Sequence, residues 1–281
     1  MTEQNAPPSL SDKVTDDGVF QIVVDSYEAV YAALTASETF NRIWRTNAYH
    51  DDFPPEFAHI GFLTTGEAGR VLEALGLTGE SILVDLACGG GGPGLWMAKE
   101  SGASLIGVDP AAAGLALAAD RARRVGLDGR AEFRRGTFAN TGLADSAVDA
   151  AMSVEAFQYA PDKRAALSEA RRVLRPGGRL AIVAFEVDPK TVTGIPVLGK
   201  DPVSDYRPLL EAAGFELTAY EEPPGWEDRV YGAFQAIVDA AEQLTAEMGE
   251  VAAGGALTEA TVTLSLRPYP RRILACALRE N

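Results

Sequence analysis

The chain has 281 residues, 47% of them hydrophobic, enough to bury a substantial core as one domain with an insertion or as two smaller ones. Its formal net charge of −15, with no basic block to offset it, argues against binding to a nucleic-acid backbone or an anionic membrane surface. No apolar run is long enough to span a bilayer and no basic-then-apolar leader opens the chain, so a soluble, cytoplasmic protein is expected.

Residues 1–16 are polar, with Pro7 and Pro8, and read as a loose tail. From Gly18 onward Phe20, Val23, Tyr27, Val30, Tyr31 and Leu34 recur at helical spacing, an apolar stripe for packing or for a lid. An aromatic stretch follows, running from Phe40 and Trp44 through Tyr49, His50 and Phe53 to Phe57, His59 and Phe62. It is too irregular for one helix and too aromatic for an ordinary solvated loop, and it closes an N-terminal cap over residues 17–62. Thr64 and Glu67 form a capping-box pair that opens a helix to about Leu75. Gly76 and Gly79 then break it.

The organising stretch is Ile82-Leu83-Val84-Asp85-Leu86-Ala87-Cys88-Gly89-Gly90-Gly91-Gly92-Pro93-Gly94. Apolar, partly β-branched residues read as a buried strand, and Pro93 suits the first turn of a helix. Between them, glycines let backbone N–H groups approach a ligand, which makes a nucleotide-cofactor cradle. The spacing of Gly89, Gly91 and Gly94 also fits dinucleotide enzymes and is weak evidence alone. Asp85 separates the two. A carboxylate at the strand end repels a pyrophosphate but attracts the cationic methionine end of S-adenosylmethionine (SAM). The D-x-A-C-G-x-G pattern resembles motif I of the class I SAM-dependent methyltransferases. Relatives more often carry glycine where Ala87 stands, and alanine fits there if its φ stays negative. Cys88 and Cys276 lack metal-ligand spacing, and Cys88 reads first as a small buried side chain in the loop.

Strand and helix then alternate: helix 93–101, strand 104–108 ending in Asp109, and a helix from Pro110 to about Val125. Asp109 lies twenty residues beyond Gly89, where a carboxylate can accept from both ribose hydroxyls. After strand 131–135, Thr137 stands where relatives often place an adenine-binding aspartate, so Asn140 or backbone atoms are alternatives. Phe138 reads equally as an adenine platform or as core. Strand 148–154, carrying Ser153 near its end, delivers Glu155, Gln158 and Tyr159 to the carboxyl edge of the sheet, where open α/β sheets bind ligands. Helix 161–174 leads to Arg172-Val173-Leu174-Arg175-Pro176-Gly177-Gly178, a second family signature whose proline stops the helix and whose glycines turn the chain into strand 180–185. Residues 187–204 read as a loop over the site, followed by helix 205–213 and strand 215–221. Trp226, Val230, Phe234, Ile237, Leu244, Met248 and Val251 mark one long amphipathic helix, then a less regular stretch, then a closing strand 271–278.

The resemblance covers roughly residues 60–222 and the last ten. It implies a Rossmann-like α/β fold: a seven-stranded, mostly parallel sheet flanked by helices, with an antiparallel last strand. The expected organisation is a tail (1–16), a cap (17–62), a SAM-binding core (63–222), a helical lid insertion (223–268) and the last core strand (269–281). It assigns the cofactor, S-adenosyl-L-methionine, to Asp85, Ala87, Cys88, Gly89 and Gly91 in the loop, to Asp109 and Pro110 after the second strand, and to Thr137, Phe138, Ser153 and Gln158 beyond. The implied activity is methyl transfer to an oxygen, nitrogen or carbon of a small acceptor, without a metal, a nucleic acid or a membrane. His59, near neutral pKa if unperturbed, is the expected base or orienter, with Glu155 and Tyr159 positioning acceptor or cofactor. Two other functions remain open, an enzyme of this fold that catalyses cyclisation with SAM or its product as a bound ligand and an NAD-dependent oxidoreductase, and for the lid helices a homodimer interface is the alternative.

Overall fold

The computed structural model describes residues 16–50, 52–192, 201–267 and 270–280. Residues 1–15 of the expected tail and residues 193–200 of the expected loop lie outside these. The seven strands are β1 (Ile82–Leu86), β2 (Ser104–Asp109), β3 (Ala131–Arg135), β4 (Val148–Val154), β5 (Leu174–Glu186), β6 (Phe215–Glu221) and β7 (Arg271–Arg279). They form one sheet in the order β3-β2-β1-β4-β5-β7-β6, and β7 runs antiparallel to both of its neighbours. The expected fold class holds. β1 and β4 sit near the centre and are buried along most of their length on both faces, as a parallel strand covered by helices on each side must be.

Alternate residues of each strand serve two cores. Leu83, Met152 and Val183 face one; Val84, Ala151 and Ile182 face the other. The first core is covered by α1 (Asp16–Ala33), α2 (Glu38–Ile43), α3 (Thr65–Leu75) and α4 (Gly92–Ser101), by part of α5 (Ala112–Arg124), and by α8 (Trp226–Asp239) and α9 (Ala241–Ser265). The second is covered by α6 (Lys163–Val173) and α7 (Arg207–Ala212). The capping box forms as read: Glu67 N–H donates to Thr64 Oγ1 at 3.3 Å and Thr64 N–H to Glu67 Oε2 at 3.2 Å.

Three local expectations are corrected. The single long helix from Trp226 is two, because Ala240 (φ −97°, ψ 15°) ends α8. The supposedly irregular stretch beyond Val251 is helical to Ser265, with a kink at Gly249, whose φ of 81° and ψ of 165° are non-helical. The Pro176–Gly178 turn lies inside β5, which already pairs at Leu174 with Val148; a register shift between Val148 and Ala150 absorbs the extra residues.

Candidate active site

The glycine loop after β1 forms the floor of a cleft of about 970 Å³, measured to its open mouth. Its walls come from several places. The loop and α4 supply Gly90, Gly91, Gly92 and Pro93; the end of β2 supplies Asp109, Pro110 and Ala111; the end of β4 supplies Glu155 and Ala156; α1 and the segment 58–61 close over the top. Gly89 has φ +49° and the Tyr31 hydroxyl lies against it, so a side chain at this position meets both backbone strain and a clash. Gly92 is needed for another reason: the Phe57 and Ala58 carbonyls pass over it so closely that any Cβ would collide with them.

Asp85 is 2% exposed, lines the cleft, and is engaged by no hydrogen bond or ion pair among the described residues. Burial, reinforced by the nearby Asp109 charge, pushes its carboxyl up to about 8. Asp109 is also raised by burial, yet two backbone N–H groups hold its oxygens: Gly89 N–H donates to Oδ2 at 2.8 Å and Ala111 N–H to Oδ1 at 2.7 Å. Each oxygen keeps capacity for a second donor. Asp109 therefore anchors the glycine loop and still faces the cleft. Glu28 of α1 accepts from Ala113 N–H at 2.9 Å, so α1 caps the first turn of α5 beside the same cleft. Arg121, held by the Gly90 carbonyl, completes that wall, and burial lowers it to about 10.

Of the residues expected at the cofactor, Asp85, Ala87, Cys88, Gly91, Asp109, Pro110 and Phe138 line the cleft. Gly89 bounds the loop behind Tyr31. Phe138 is buried and also packs edge-on against Phe157, so both of its expected uses are compatible. Three residues stand off the wall and are corrected. Thr137 is drawn into a local bridge in which its N–H and carbonyl both pair with Asn140. Ser153 is fully buried within β4. Gln158 turns back to donate to the Glu155 carbonyl at 2.7 Å and faces a second, separate chamber. Ala87 is the fourth correction: its φ is +60°, the left-handed region, so alanine here is strained where glycine would not be.

The expected catalytic residues need more revision. His59 reaches the cleft wall, but it is packed against Tyr49 and Phe53, and burial drives its imidazole down to about 3. Its Nδ1 lone pair already accepts from Gly61 N–H at 3.1 Å, which leaves the proton on Nε2. A neutral imidazole with its lone pair engaged orients a neighbour and does not serve as the base. Glu155 has φ +55° and is locked in a buried network. Arg272, fully buried, donates from Nε to Glu155 Oε1 at 2.6 Å and from Nη1 and Nη2 to the Glu67 oxygens at 3.1 and 2.9 Å. Arg229 adds a second cation on Glu67, and Phe62 N–H donates to Glu155 Oε2. Two cations thus balance two carboxylates across α3, α8, β4 and β7. Glu155 is a clamp on the 59–62 segment and not a free acceptor-binding group. Tyr159 donates its hydroxyl to Glu259 Oε1 at 2.7 Å, and Tyr27 donates to the same carboxylate at 3.0 and 3.2 Å. Glu259, on α9 and 100 residues beyond Tyr159, carried no motif and went unread in the sequence.

Residues 84–182, from β1 through most of β5, match the family model described as a methyltransferase domain. The chain carries a methyltransferase domain, and its likeness to these enzymes supports a SAM-dependent methyltransferase. The methyltransferase is 27% identical over 223 residues to methyltransferase GfsG of Streptomyces halstedii, covering 75% of this chain and 78% of that one. It is 27% identical over 197 residues to 27-O-demethylrifamycin SV methyltransferase of Amycolatopsis mediterranei, covering 66% and 72%. In fold it resembles the [4+2]-cyclase SpnF, with a TM-score of 0.70, 21% identity, and coverage of 95% of this chain and 97% of that one. That likeness includes the helices outside the matched domain. Among the described residues, no helix is long and apolar enough to cross a membrane.

Proposed function

We propose that this methyltransferase moves a methyl group from SAM to a small, largely apolar acceptor, with residues 17–62 as a cap and 223–268 as a lid over the reacting groups. The observation that carries the reading is Asp85. A buried carboxylate without a protein partner among the described residues, at the floor of a cleft of nucleoside size, suits a ligand that brings its own positive charge. The cationic methionine end of SAM supplies it. Asp109 then accepts from the ribose hydroxyls with its free lone pairs, the Gly89–Gly91 backbone approaches the ligand closely, and Phe138 offers a face to the adenine.

When bound, SAM supplies a methyl group already activated by its sulfonium. The protein's share is alignment, exclusion of water and management of one proton. Tyr31 and Glu28 fasten α1 over the cleft, and the Glu155–Arg272–Glu67 network fixes the segment that carries His59 and Ile60. The likeness to 27-O-demethylrifamycin SV methyltransferase supports a secondary-metabolite acceptor. Cyclisation on an unreacting cofactor is the second reading, favoured by the near-complete fold likeness to SpnF.

Calorimetric titration with SAM tests the site. Asp109→Ala removes charge-assisted contacts worth about 1.5–3 kcal/mol, so affinity should fall at least tenfold. Unchanged affinity overturns the assignment. Appearance of S-adenosylhomocysteine during turnover supports methyl transfer; turnover without it supports cyclisation.

A further inference from the structure

Behind the cofactor cleft lies a second chamber of about 550 Å³, measured to its open mouth. Tyr27, Ile60, Glu155 and Tyr159 line both spaces, so the two adjoin at these residues. The chamber's own wall is aromatic, with Trp44, Phe62, Phe185 and Phe234, and no lysine, arginine or histidine is among its described lining residues. Among the polar groups in that wall, three bear on what it could bind. Trp44 Nε1 and Gln158 Oε1 are buried without a hydrogen-bond partner among the described residues, one a donor and one an acceptor, on residues 6% and 7% exposed. The third is the Glu259 carboxylate, clasped by Tyr27 and Tyr159 where the two spaces adjoin, with no ion pair among the described residues.

A carboxylate placed like this costs stability unless it has work to do. Both phenols donate to it, and no cation pairs with it among the described residues. Oε1 takes a hydrogen bond from each tyrosine, while Oε2 takes only the longer one from Tyr27, so Oε2 retains acceptor capacity. His59 and Glu155, the nearer candidates by sequence, are both committed elsewhere. We propose that the aromatic chamber receives a neutral, largely apolar acceptor bearing a hydroxyl, and that Glu259 Oε2 takes the proton of that hydroxyl as it is methylated. This rests on the methyltransferase reading above.

The step balances simply. The acceptor oxygen forms a bond to the methyl carbon, and the carbon–sulfur bond breaks with its electron pair staying on sulfur. The hydroxyl proton passes to Glu259, and from there to solvent when product leaves. Tyr27 and Tyr159 hold the carboxylate in place and stabilise its charge before transfer. Trp44 Nε1 and Gln158 Oε1 are free to bind further polar groups of the acceptor. A phosphorylated or carboxylate acceptor is disfavoured, since it would meet Glu259 with no cation in the wall. The titratable groups facing Glu259 are Tyr27 from α1, Tyr159 from the turn after β4 and, across the chamber, Glu155. Burial raises the Glu259 carboxyl above the ordinary carboxylate range, which brings it closer to the pKa a base needs at neutral pH.

The test uses the full chain with SAM and 2-naphthol, a planar apolar probe with one hydroxyl, and follows 2-methoxynaphthalene by mass spectrometry between pH 5 and 8. The wild-type rate should rise with pH through an apparent pKa above that of a free glutamate. Glu259→Gln should lower kcat at least 100-fold, the smallest effect expected of a general base, and abolish that rise. Glu259→Asp should recover part of both. SAM affinity and thermal midpoint, measured on each variant, separate a lost base from a lost fold; should Glu259→Gln fail to fold, the aspartate variant carries the test through its shifted profile. A glutamine variant within threefold of wild type, or a wild type that binds SAM yet never methylates 2-naphthol, overturns the proposal and leaves the methyltransferase reading standing. Failure of the wild type to bind SAM would instead remove that reading itself.

Discussion

Arg272 offers the sharpest stability test. Its side chain is wholly buried and donates three hydrogen bonds to two carboxylates, joining the last strand to α3 and to the turn after β4. Arg272→Met keeps much of the stem's volume and removes the charge. Glu67 retains Arg229, but Glu155 is left with the Phe62 N–H alone. Removing one partner of a buried ion pair costs about 3–5 kcal/mol, because the other charge stays buried without compensation. Against a typical total of about 5–15 kcal/mol, that is a large share. At about 2–4 °C per kcal/mol for a chain near this size, the thermal midpoint should drop by about 6–20 °C. Calorimetric melting and urea unfolding both read it. Adding Glu155→Gln to Arg272→Met should cost less than the two single changes summed, since the orphaned charge is then gone, with a coupling of about 0.5–3 kcal/mol. A loss below about 1 kcal/mol in Arg272→Met, or strict additivity in the double variant, would refute the view of this network as one mutually dependent unit.

Three further outcomes are expected. Ala87→Gly relieves a left-handed residue worth about 1–2 kcal/mol of strain, partly offset by glycine's chain entropy, so urea unfolding should show a net gain of up to about 1 kcal/mol. His59→Gln should leave the pH profile of turnover between pH 5 and 8 unchanged, because the imidazole is neutral throughout that range; a lost limb would contradict this. Asp85 makes stability fall with rising pH in the protein without ligand: above about pH 4 the unfolded aspartate has lost its proton while the folded one keeps it to about 8. The stability lost on going from pH 5 to pH 8 should therefore be smaller in Asp85→Asn than in wild type, as followed by thermal melting.

Much of this architecture was legible from local chemistry. The strand–glycine–proline run over residues 82–94 and the Thr64–Glu67 capping box each act within a few residues and sit where their patterns put them, whereas the Arg172–Gly178 run ends its helix as read but places its turn inside β5. The cleft floor follows from that, since Asp85 and Asp109 are tied to strand ends; the second chamber does not. Tyr27 and Glu259 are 232 positions apart, and Arg272 meets Glu67 across 205, so no window of sequence holds either pair. His59 and Glu155 were read by residue type at a plausible place, but packing decides their roles: one imidazole loses its basicity to burial, one carboxylate its freedom to Arg272. The left-handed turn at Ala87 escaped for a related reason. Its conformation is imposed by the neighbouring loop, whose Ala87 and Cys88 N–H groups both reach the Val108 carbonyl, and not by alanine's own preference.

The central claim is that the cleft floor holds the cationic end of SAM on Asp85. At pH 6.5 that carboxyl is protonated in the free protein, and a cation beside it lowers its pKa, so binding must expel a proton. Titrating SAM into the protein at pH 6.5 in two buffers of different ionisation heat measures this directly. About one proton should be released per SAM bound by wild type, and none by Asp85→Asn, which should also bind more weakly. Binding without proton release, or the same release from Asp85→Asn, would contradict the account.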